Sequence, residues 1–202
     1  MSALFSIQGV LLGLFAYLAG GIPFGVILSR KFWGKDPRKG GSGGIGFTNV
    51  MRVVGKKAAF LTLALDTLKG TLSVALARAL LPDPAVLSVI ALLAVAGHSF
   101  PVYLAFKGGK GIATGFGVLL GLSPPVAVVT FLLWNGAYFA WKYSSLAGLI
   151  SFAMTPAAFL LTGHREFLPF SLILTLLIFY QHRANIKRLI EGKENRMSSK
   201  PP

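Results

Sequence analysis

The chain contains no cysteine and few acidic residues. Its 202 residues include only 6 Asp and Glu against 20 Lys and Arg, and charged residues make up 13% of the total. A soluble domain usually carries about 25% charged residues, so this deficit excludes a disordered chain, a coiled coil and an ordinary soluble α/β domain. The absence of cysteine excludes disulfide bonds, thiolate metal sites and a cysteine acyl-enzyme.

Long apolar runs fill most of the sequence. Apolar residues make up 54% of the chain, and runs approaching about 20 residues recur along nearly its whole length, which is typical of a polytopic helical membrane protein. The segments predicted to cross the membrane are 3–29, 58–81, 85–106, 112–122, 126–141, 146–161 and 167–180.

The distribution of positive charge predicts the orientation. Segment 112–122 would form a helix about 16 Å long, which is short for a hydrocarbon core about 30 Å thick. We expect it to cross as a short, broken helix, because the basic loop 30–57 and the basic tail from residue 181 then lie on one side. Nearly all of the 20 Lys and Arg residues face the cytoplasm in that arrangement, which also accounts for the positive charge without a nucleic-acid partner. The prediction is a single all-α integral membrane domain, residues 1–202, with seven transmembrane helices, the N-terminus outside and the C-terminus cytoplasmic.

A glycine-rich stretch, Gly40–Gly46, lies in the first cytoplasmic loop. Backbone N–H groups can converge in such a stretch without side chains between them, and the resulting nest binds phosphate or another oxyanion. Arg52 adds a guanidinium group whose paired donors suit phosphate. A flexible linker is the alternative, but a linker needs no Thr-Asn-x-x-Arg sequence. The residues predicted to line this first anion site are Gly41, Ser42, Gly43, Thr48, Asn49 and Arg52.

A second anion site is predicted at the start of the fourth apolar segment. The sequence Lys-Gly-Gly-Lys-Gly offers bare amide groups at the positive end of a helix dipole, and its lysines add charge. A loop that only followed the positive-inside rule would need the lysines but not the glycines. The residues of this second site are Lys107, Gly108, Gly109, Lys110 and Gly111, with His98 close by.

Two further polar pairs stand out. His182 and Asn185 are spaced to share one face of a helix, and histidine is the side chain best suited to proton transfer near neutral pH. An amphipathic segment that only binds lipid headgroups would need the cations around this pair but not the pair itself. Asp66 and Lys69 lie one helical turn apart within the second apolar segment, where charge is costly unless paired and commonly marks function. Structural and catalytic interpretations of Asp66 and Lys69 both remain open.

The glycine and histidine clusters all fall on the predicted cytoplasmic face. Two anion sites and one histidine at the same face indicate two phosphate-bearing ligands that meet beside the bilayer. A transporter of a phosphorylated metabolite and a structural lipid-binding protein are the alternatives. The chain is small for a transporter, shows no internal repeat and places its motifs at one face instead of the midplane. Lipid binding explains the basic loops but not the glycines.

Three motifs, in this order, resemble those of one enzyme family. They are Gly-Ser-Gly-x-x-Gly-x-Thr-Asn-x-x-Arg from residue 41, Gly-His-x-Phe-Pro-Val-x-Leu-x-Phe-Lys-Gly-Gly-Lys-Gly-Ile-Ala-Thr from residue 97, and His-Arg-x-Asn-Ile-x-Arg-Leu-x-x-Gly-x-Glu from residue 182. The family is the bacterial acyl-phosphate-dependent glycerol-3-phosphate 1-O-acyltransferases of the inner membrane. The resemblance extends from about residue 20 to 194 and includes Asp66-x-x-Lys69-Gly70. One departure is Gly44-Ile45, where the family commonly has Asn-Pro, so a role for that Asn side chain does not transfer.

The resemblance implies a reaction. A fatty acyl group would pass from acyl phosphate to the 1-hydroxyl of glycerol 3-phosphate at the cytoplasmic face of the inner membrane, giving lysophosphatidic acid and phosphate for phospholipid synthesis. It also implies that neither acyl-CoA nor acyl carrier protein is the direct donor, that no metal or other cofactor is needed, and that the enzyme making acyl phosphate is a functional partner.

The family's motifs, carried over position by position, assign roles to individual residues. Catalysis falls to Ser42, Arg52, His182 and Asn185. Substrate binding falls to Gly41, Gly43, Thr48, Asn49, Lys69, His98, Lys107, Gly108, Gly109, Lys110 and Gly111. The second motif is expected to help hold glycerol 3-phosphate, although the pairing of phosphates with glycine stretches stays open. Glu194 is expected to support local structure.

Direct attack of the substrate hydroxyl on the acyl carbonyl is the expected mechanism. Acyl phosphate is already activated, so the protein needs to supply positioning and charge stabilisation but no covalent intermediate. The proton then passes to the phosphate or to His182. Ser42 as an acyl-accepting nucleophile is the alternative, and it has no Asp-His pair near it in the sequence.

Overall fold

The computed structural model describes residues 3–197, which are helical throughout with no strand among them. Eleven helices follow one another in this part of the chain: α1 (Ile7–Gly21), α2 (Phe24–Trp33), α3 (Phe47–Val53), α4 (Lys56–Leu80), α5 (Pro84–Ser99), α6 (Ile112–Leu122), α7 (Pro124–Trp141), α8 (Ser144–Ala153), α9 (Thr155–Leu161), α10 (Leu168–Gln181) and α11 (Arg183–Ile190). The predicted all-α class is therefore confirmed. The ends of the predicted domain, 1–2 and 198–202, lie outside the described residues.

The predicted segments correspond to helices, but some of them are interrupted. Segment 3–29 is divided into α1 and α2, which meet at an angle of 41°. Pro23 lies at this break, and a proline ring without an amide hydrogen prevents the first helix from continuing. The prediction of one uninterrupted helix is therefore wrong here. Two other pairs of consecutive helices are also bent at a short break, α8–α9 by 40° and α10–α11 by 63°.

The lengths of the helices limit what the structure establishes about membrane crossings. Within the described residues, α4 and α5 with its following turn are each long and apolar enough to span a membrane unaided. Counting each bent pair as one span gives up to five. The fourth segment is a single helix, α6, of 11 residues: it is short as predicted, but the prediction that it is broken is wrong. Seven crossings, and the sides assigned to the two termini, stay a prediction.

Glycine lets α4 and α6 approach until their backbones touch. A Cβ on Gly70 of α4 would lie 2.5 Å from the Thr114 carbonyl oxygen. A Cβ on Gly117 of α6 would overlap the carbonyl oxygen of Thr67. Close approach at small residues is how helices associate within a membrane, where burial of apolar surface gives little driving force. The α4–α6 contact therefore depends on these glycines.

Arg78, in the last turn of α4, completes the short helix α6. Its guanidinium group donates to the carbonyl oxygens of Gly121 and Leu122 at 2.9 and 2.8 Å. The last carbonyl groups of a helix have no partner within it, and Arg78 supplies a donor to two of them. The Thr71 hydroxyl adds a 3.0 Å bond to the Gly117 carbonyl oxygen. These bonds connect the C-terminal half of α6 to α4.

Apolar side chains occupy both the interior and much of the outer surface. Buried aromatic rings, including Phe152 and Phe159, fill the space between helices. Large apolar side chains are exposed along α1, α7 and α10, among them Phe15, Leu132 and Leu176. An apolar outer surface of this extent is expected of a protein that faces lipid.

Candidate active site

The three sequence motifs meet at one end of the helix bundle. The first turn of α3 reaches the start of α8 through a 2.9 Å hydrogen bond between the Thr48 and Ser144 hydroxyl groups. The loop before α6 reaches the end of α10, because the Gln181 amide donates to the carbonyl oxygens of Ser99 and Gly109 at 3.2 and 3.3 Å. Residues that are far apart in the sequence are thereby held in one site.

Asn49 organises the glycine-rich loop. Its side-chain oxygen accepts from the Ser42 amide at 2.8 Å. Its side-chain nitrogen donates to the carbonyl oxygens of Pro37 and Gly44, each at 2.7 Å. Both ends of the Asn49 amide are therefore engaged within the loop, and the side chain acts as a scaffold. Contact between Asn49 and substrate stays a prediction, and it would require some of these bonds to be exchanged.

The loop offers fewer free amides than its glycine content predicts. The Ser42 amide is already engaged, and the Gly43 amide donates to the Gly40 carbonyl oxygen at 3.0 Å. Gly41 and Gly43 have φ angles of +58° and +70°, in the left-handed region that favours glycine. The expectation of bare amides is therefore wrong for Ser42 and Gly43, because glycine here serves the shape of the turn.

Ser42 and Arg52 lie on the open side of this loop. The Ser42 side chain is exposed, and within residues 3–197 no hydrogen bond joins its hydroxyl to an imidazole. A serine nucleophile needs a base within reach, so this geometry gives no support to an acyl-enzyme on Ser42. Arg52 packs against Gly41, and its positive charge acts on Lys110 of the second motif.

The second loop also uses two of its glycine amides. The Gly108 amide donates to the Ser99 carbonyl oxygen at 3.2 Å. The Gly109 amide donates to the His98 carbonyl oxygen at 3.0 Å. The expectation of bare amides is therefore wrong for both glycines. In the described part of the chain, the amides of residues 111–114 make no hydrogen bond to a carbonyl group, as at the start of any helix, so the free donors lie further along the chain.

The two lysines of the second motif take different positions. Lys107 is exposed, whereas Lys110 is partly buried. Burial lowers the pKa of Lys110 to about 8. Glu194 opposes this shift, while the positive charges of Arg188 and Arg52 add to it. Lys110 therefore belongs to a group of cations that a bound phosphate would stabilise.

His182 lies at the junction of α10 and α11 with its ring buried. Its Nδ1 is 2.8 Å from the Ile178 carbonyl oxygen. A carbonyl oxygen only accepts, so Nδ1 carries the hydrogen and Nε2 of the neutral ring keeps a lone pair. Nε2 lies close to Gly148 of α8, 3.8 Å from where a Cβ would stand. The ring is thus held in the tautomer that accepts a proton at Nε2.

Glu194 attaches the C-terminal tail to the site. Its carboxylate accepts from the Asn185 amide at 2.7 Å, the Ser145 hydroxyl at 3.0 Å and Arg188 Nε at 2.8 Å. Burial raises the pKa of Glu194, but these hydrogen bonds outweigh burial, and the net shift is downward. Glu194 therefore stays ionised and holds Asn185 one helical turn from His182.

Asp66, Lys69 and His98 form a buried ionic group beneath the second loop. Lys69 Nζ lies 2.7 Å from Asp66 Oδ1 and 3.0 Å from His98 Nδ1. It also donates to the Ile22 carbonyl oxygen at 2.9 Å. The side chains of Lys69 and Asp66 are only 4% and 3% exposed. Substrate binding by Lys69 and His98 stays a prediction, since the contacts they make in the structure are with each other.

Several residues of the site carried no motif signal. Ser144, Ser145 and Gln181 contact the motifs but were missed from the sequence. The break after the fifth segment was the available sign for the two serines, because polar residues at such a break lie at a membrane face. Among residues 3–197, no three His, Asp or Glu side chains cluster closely enough to hold a metal ion.

The fold and the site together define a helical integral membrane protein with a cationic, histidine-containing site at one end. The sequence profile of the glycerol-3-phosphate acyltransferase family matches residues 10–192. The chain belongs to that family, as its motifs indicate.

Curated relatives and solved structures agree with this assignment. The glycerol-3-phosphate acyltransferase of Bradyrhizobium diazoefficiens is 48% identical over 184 residues, covering 91% of this chain and 92% of the relative. That of Rubrobacter xylanophilus is 43% identical over 192 residues, covering 95% and 96%. The crystal structure of PlsY, an integral membrane glycerol 3-phosphate acyltransferase, in its glycerol 3-phosphate form has a TM-score of 0.90 at 39% identity, covering 95% of this chain and 96% of that one. Its lysophosphatidic acid form has a TM-score of 0.86 at 38% identity, with the same coverage.

Proposed function

We propose that this chain transfers a fatty acyl group from acyl phosphate to the 1-hydroxyl of glycerol 3-phosphate, giving lysophosphatidic acid and inorganic phosphate. Family membership supports acyl transfer to glycerol 3-phosphate. The PlsY structures named for glycerol 3-phosphate and lysophosphatidic acid support the same acceptor and product. The observation that carries the proposal is the free Nε2 of His182 near Lys110, which in turn lies within reach of the charge of Arg52.

The proposed reaction is a direct displacement at the acyl carbonyl. The 1-hydroxyl oxygen attacks the carbonyl carbon and forms the ester bond, while the bond from that carbon to the phosphate oxygen breaks. The phosphate leaves with that bonding pair, and the hydroxyl proton goes to His182 Nε2 or to the phosphate itself. Acyl phosphate is an activated donor, so this route needs no acyl-enzyme.

The cations stabilise the charge that develops on the leaving phosphate. Fixed positive groups in a partly dry site act more strongly there than in water. Lys110 and Arg52 supply such charges, and the free amides at the start of α6 add donors at the positive end of a helix dipole. Asn185, held by Glu194, completes the polar surface beside the base.

We place this site at the cytoplasmic face of the inner membrane. The Lys and Arg residues of the loop 30–57 and of the tail lie near the motifs, as the positive-inside rule expects of a cytoplasmic face. The acyl chain of the donor then remains in lipid while its phosphate reaches basic residues at the surface. Membrane lipid and the enzyme that makes acyl phosphate are the partners of this reaction.

The position of the site argues against a transporter of a phosphorylated metabolite. The motifs lie at the start of α3, between the end of α5 and the start of α6, and in α11 directly after the end of α10. Transporters instead bind their substrates near the bilayer midplane, between repeats. A site at helix ends suits an enzyme that receives one substrate from water and the other from lipid.

The test is a reaction in detergent without a gradient. Purified protein is incubated with palmitoyl phosphate and glycerol 3-phosphate, without added metal, and lysophosphatidic acid and phosphate are quantified. We expect equal amounts of the two products. His182→Ala is expected to lower kcat by on the order of 100-fold or more, as is usual when a general base is removed.

His164→Ala is the matched control, because His164 lies beside the turn at the opposite end of α10. It is expected to keep the activity of the parent protein. Absence of lysophosphatidic acid from a folded preparation that binds palmitoyl phosphate would refute the proposed activity. Full activity of His182→Ala would refute the role of this base alone.

A further inference from the structure

Asp66, Lys69 and His98 take no part in the reaction as proposed, yet they form a deeply buried ionic group, and His98 belongs to the second motif. Lys69 has three polar neighbours: its Nζ lies 2.7 Å from Asp66 Oδ1 and forms hydrogen bonds with His98 Nδ1 and the Ile22 carbonyl oxygen. All three neighbours belong to the protein. The contacts of Lys69 lead to the second loop through His98.

The Lys69 ammonium determines the state of the His98 ring. Lys69 Nζ donates to Nδ1, so Nδ1 is the unprotonated nitrogen of a neutral ring and Nε2 carries the hydrogen. This is the opposite tautomer to that of His182. The ring can neither rotate nor exchange its nitrogens without breaking the 3.0 Å contact with Lys69.

The fixed ring lies directly against Gly109. A Cβ on Gly109 would overlap His98 Nε2, and the Gly109 amide donates to the His98 carbonyl oxygen at 3.0 Å. Gly108 is also crowded, but by different atoms: a Cβ there would overlap the His98 carbonyl oxygen and the Pro101 ring. The side chain of His98 thus sets the position of one glycine, and backbone sets the position of the other.

We infer that Asp66, Lys69 and His98 are positioning residues for the loop 108–111. The His98 ring fixes how closely the loop approaches α5, and this approach leaves no room for a Cβ at residue 109. The loop leads into Lys110 and the first turn of α6, so its position decides where those donors stand. The inference rests on the proposed function for its readout, since the loop is expected to hold glycerol 3-phosphate. None of the three side chains needs to touch substrate.

Steric complementation tests this inference. Gly109→Ala is expected to lower kcat/KM for glycerol 3-phosphate by on the order of 100-fold, the size of loss that a displacement of about 1 Å produces. His98→Ala removes the ring and is expected to cost only about 10-fold, because the backbone bond to Gly109 remains. The double variant His98→Ala/Gly109→Ala is expected to match His98→Ala, and therefore to exceed Gly109→Ala by about 10-fold.

Gly108→Ala is the matched control. Its Cβ would meet backbone and Pro101, so His98→Ala is expected to give it no rescue. We expect the loss in Gly109→Ala to raise KM for glycerol 3-phosphate while leaving KM for palmitoyl phosphate within about twofold. A general loss of folding would lower the apparent kcat, leave both KM values unchanged and would not be reversed by a second substitution.

A measurement on the parent protein covers the case in which His98→Ala does not fold. Nitrogen-15 NMR of the labelled histidines, with signals assigned by comparison with His164→Ala and His182→Ala, reports the tautomer of each ring. We expect Nε2–H for His98 and Nδ1–H for His182. Nδ1–H at His98, or no rescue of Gly109→Ala in folded double variants of an active parent, would overturn the inference. An inactive parent would instead refute the proposed function.

Discussion

The rate of acyl transfer is predicted to fall above pH 8 because Lys110 loses its charge there. Burial lowers its pKa from 10.5 to about 8. Lys110 is placed to stabilise phosphate only as a cation, so each pH unit above 8 removes about nine-tenths of the remaining competent enzyme. We expect kcat/KM to fall about tenfold between pH 8.5 and 9.5. The alkaline fall in kcat is expected at higher pH, because bound phosphate stabilises the Lys110 cation.

The stability of the protein is predicted to move in the opposite direction. Between about pH 8 and 10.5 the unfolded chain holds the Lys110 proton and the folded chain does not. The unfolded state then binds more protons, so the contribution of Lys110 to the free energy of unfolding rises with pH. The whole shift corresponds to about 3 kcal/mol. Activity therefore falls over a range in which this residue destabilises the fold progressively less.

The assay is a pH profile of lysophosphatidic acid formation, corrected for hydrolysis of palmitoyl phosphate in the absence of protein. Lys110→Arg keeps a charge that does not titrate in this range, and it is expected to move the alkaline limb above pH 10. Lys110→Met serves as the reference for thermal stability, and the parent is expected to gain on it as pH rises from 8 to 10.5. A limb that is the same in the parent and Lys110→Arg would refute the reasoning.

Three further outcomes follow from the contacts of the site and the fold. Arg78→Met is expected to destabilise the protein by about 2 kcal/mol, because it leaves the Gly121 and Leu122 carbonyl groups unpaired, while kcat/KM of the folded fraction stays within about twofold. Thermal unfolding in detergent measures the loss of stability, and a melting temperature equal to that of the parent would contradict the prediction. Asn49→Ala is expected to raise KM for a phosphate-bearing substrate on the order of 10-fold, because the glycine-rich loop loses the hydrogen bonds that hold its shape. Initial rates measure this KM, and an unchanged value would refute the role of Asn49 as a scaffold. Ser42→Ala is expected to retain turnover with weaker substrate binding, and mass spectrometry after rapid quenching is expected to find no acylated protein. An acyl adduct on Ser42 of the parent protein would establish the covalent route instead.

The helices of the bundle were predictable where they depend on local composition. Long, mainly apolar segments predict α4 and α5 well, because spanning a bilayer requires length and hydrophobicity. The bend between α1 and α2 was missed because apolar residues continue on both sides of Pro23, and composition does not register a single lost amide. Pro23 itself was the available sign.

The motifs did not predict the hydrogen-bond partners of their own residues. The sequence predicts free amide donors at Gly108 and Gly109, but the chain folds back against the end of α5, whose last carbonyl groups have no partner within that helix. The carbonyl oxygens of His98 and Ser99 take those donors first. The role of Asn49 was hidden for the same reason, since its partners are backbone groups whose positions depend on the folded loop.

The dependence of α6 on Arg78 has a consequence for biogenesis. A hydrophobic stretch of 11 residues is poorly suited to leave the insertion machinery for lipid on its own, since a helix of that length covers only about half of the hydrocarbon core. Translation proceeds from the N-terminus, so α4 with its arginine is made before α6 emerges from the ribosome. The order of synthesis thus places the receiving helix in the membrane first, and assembly of the fourth segment becomes a docking event between neighbours in place of an independent insertion.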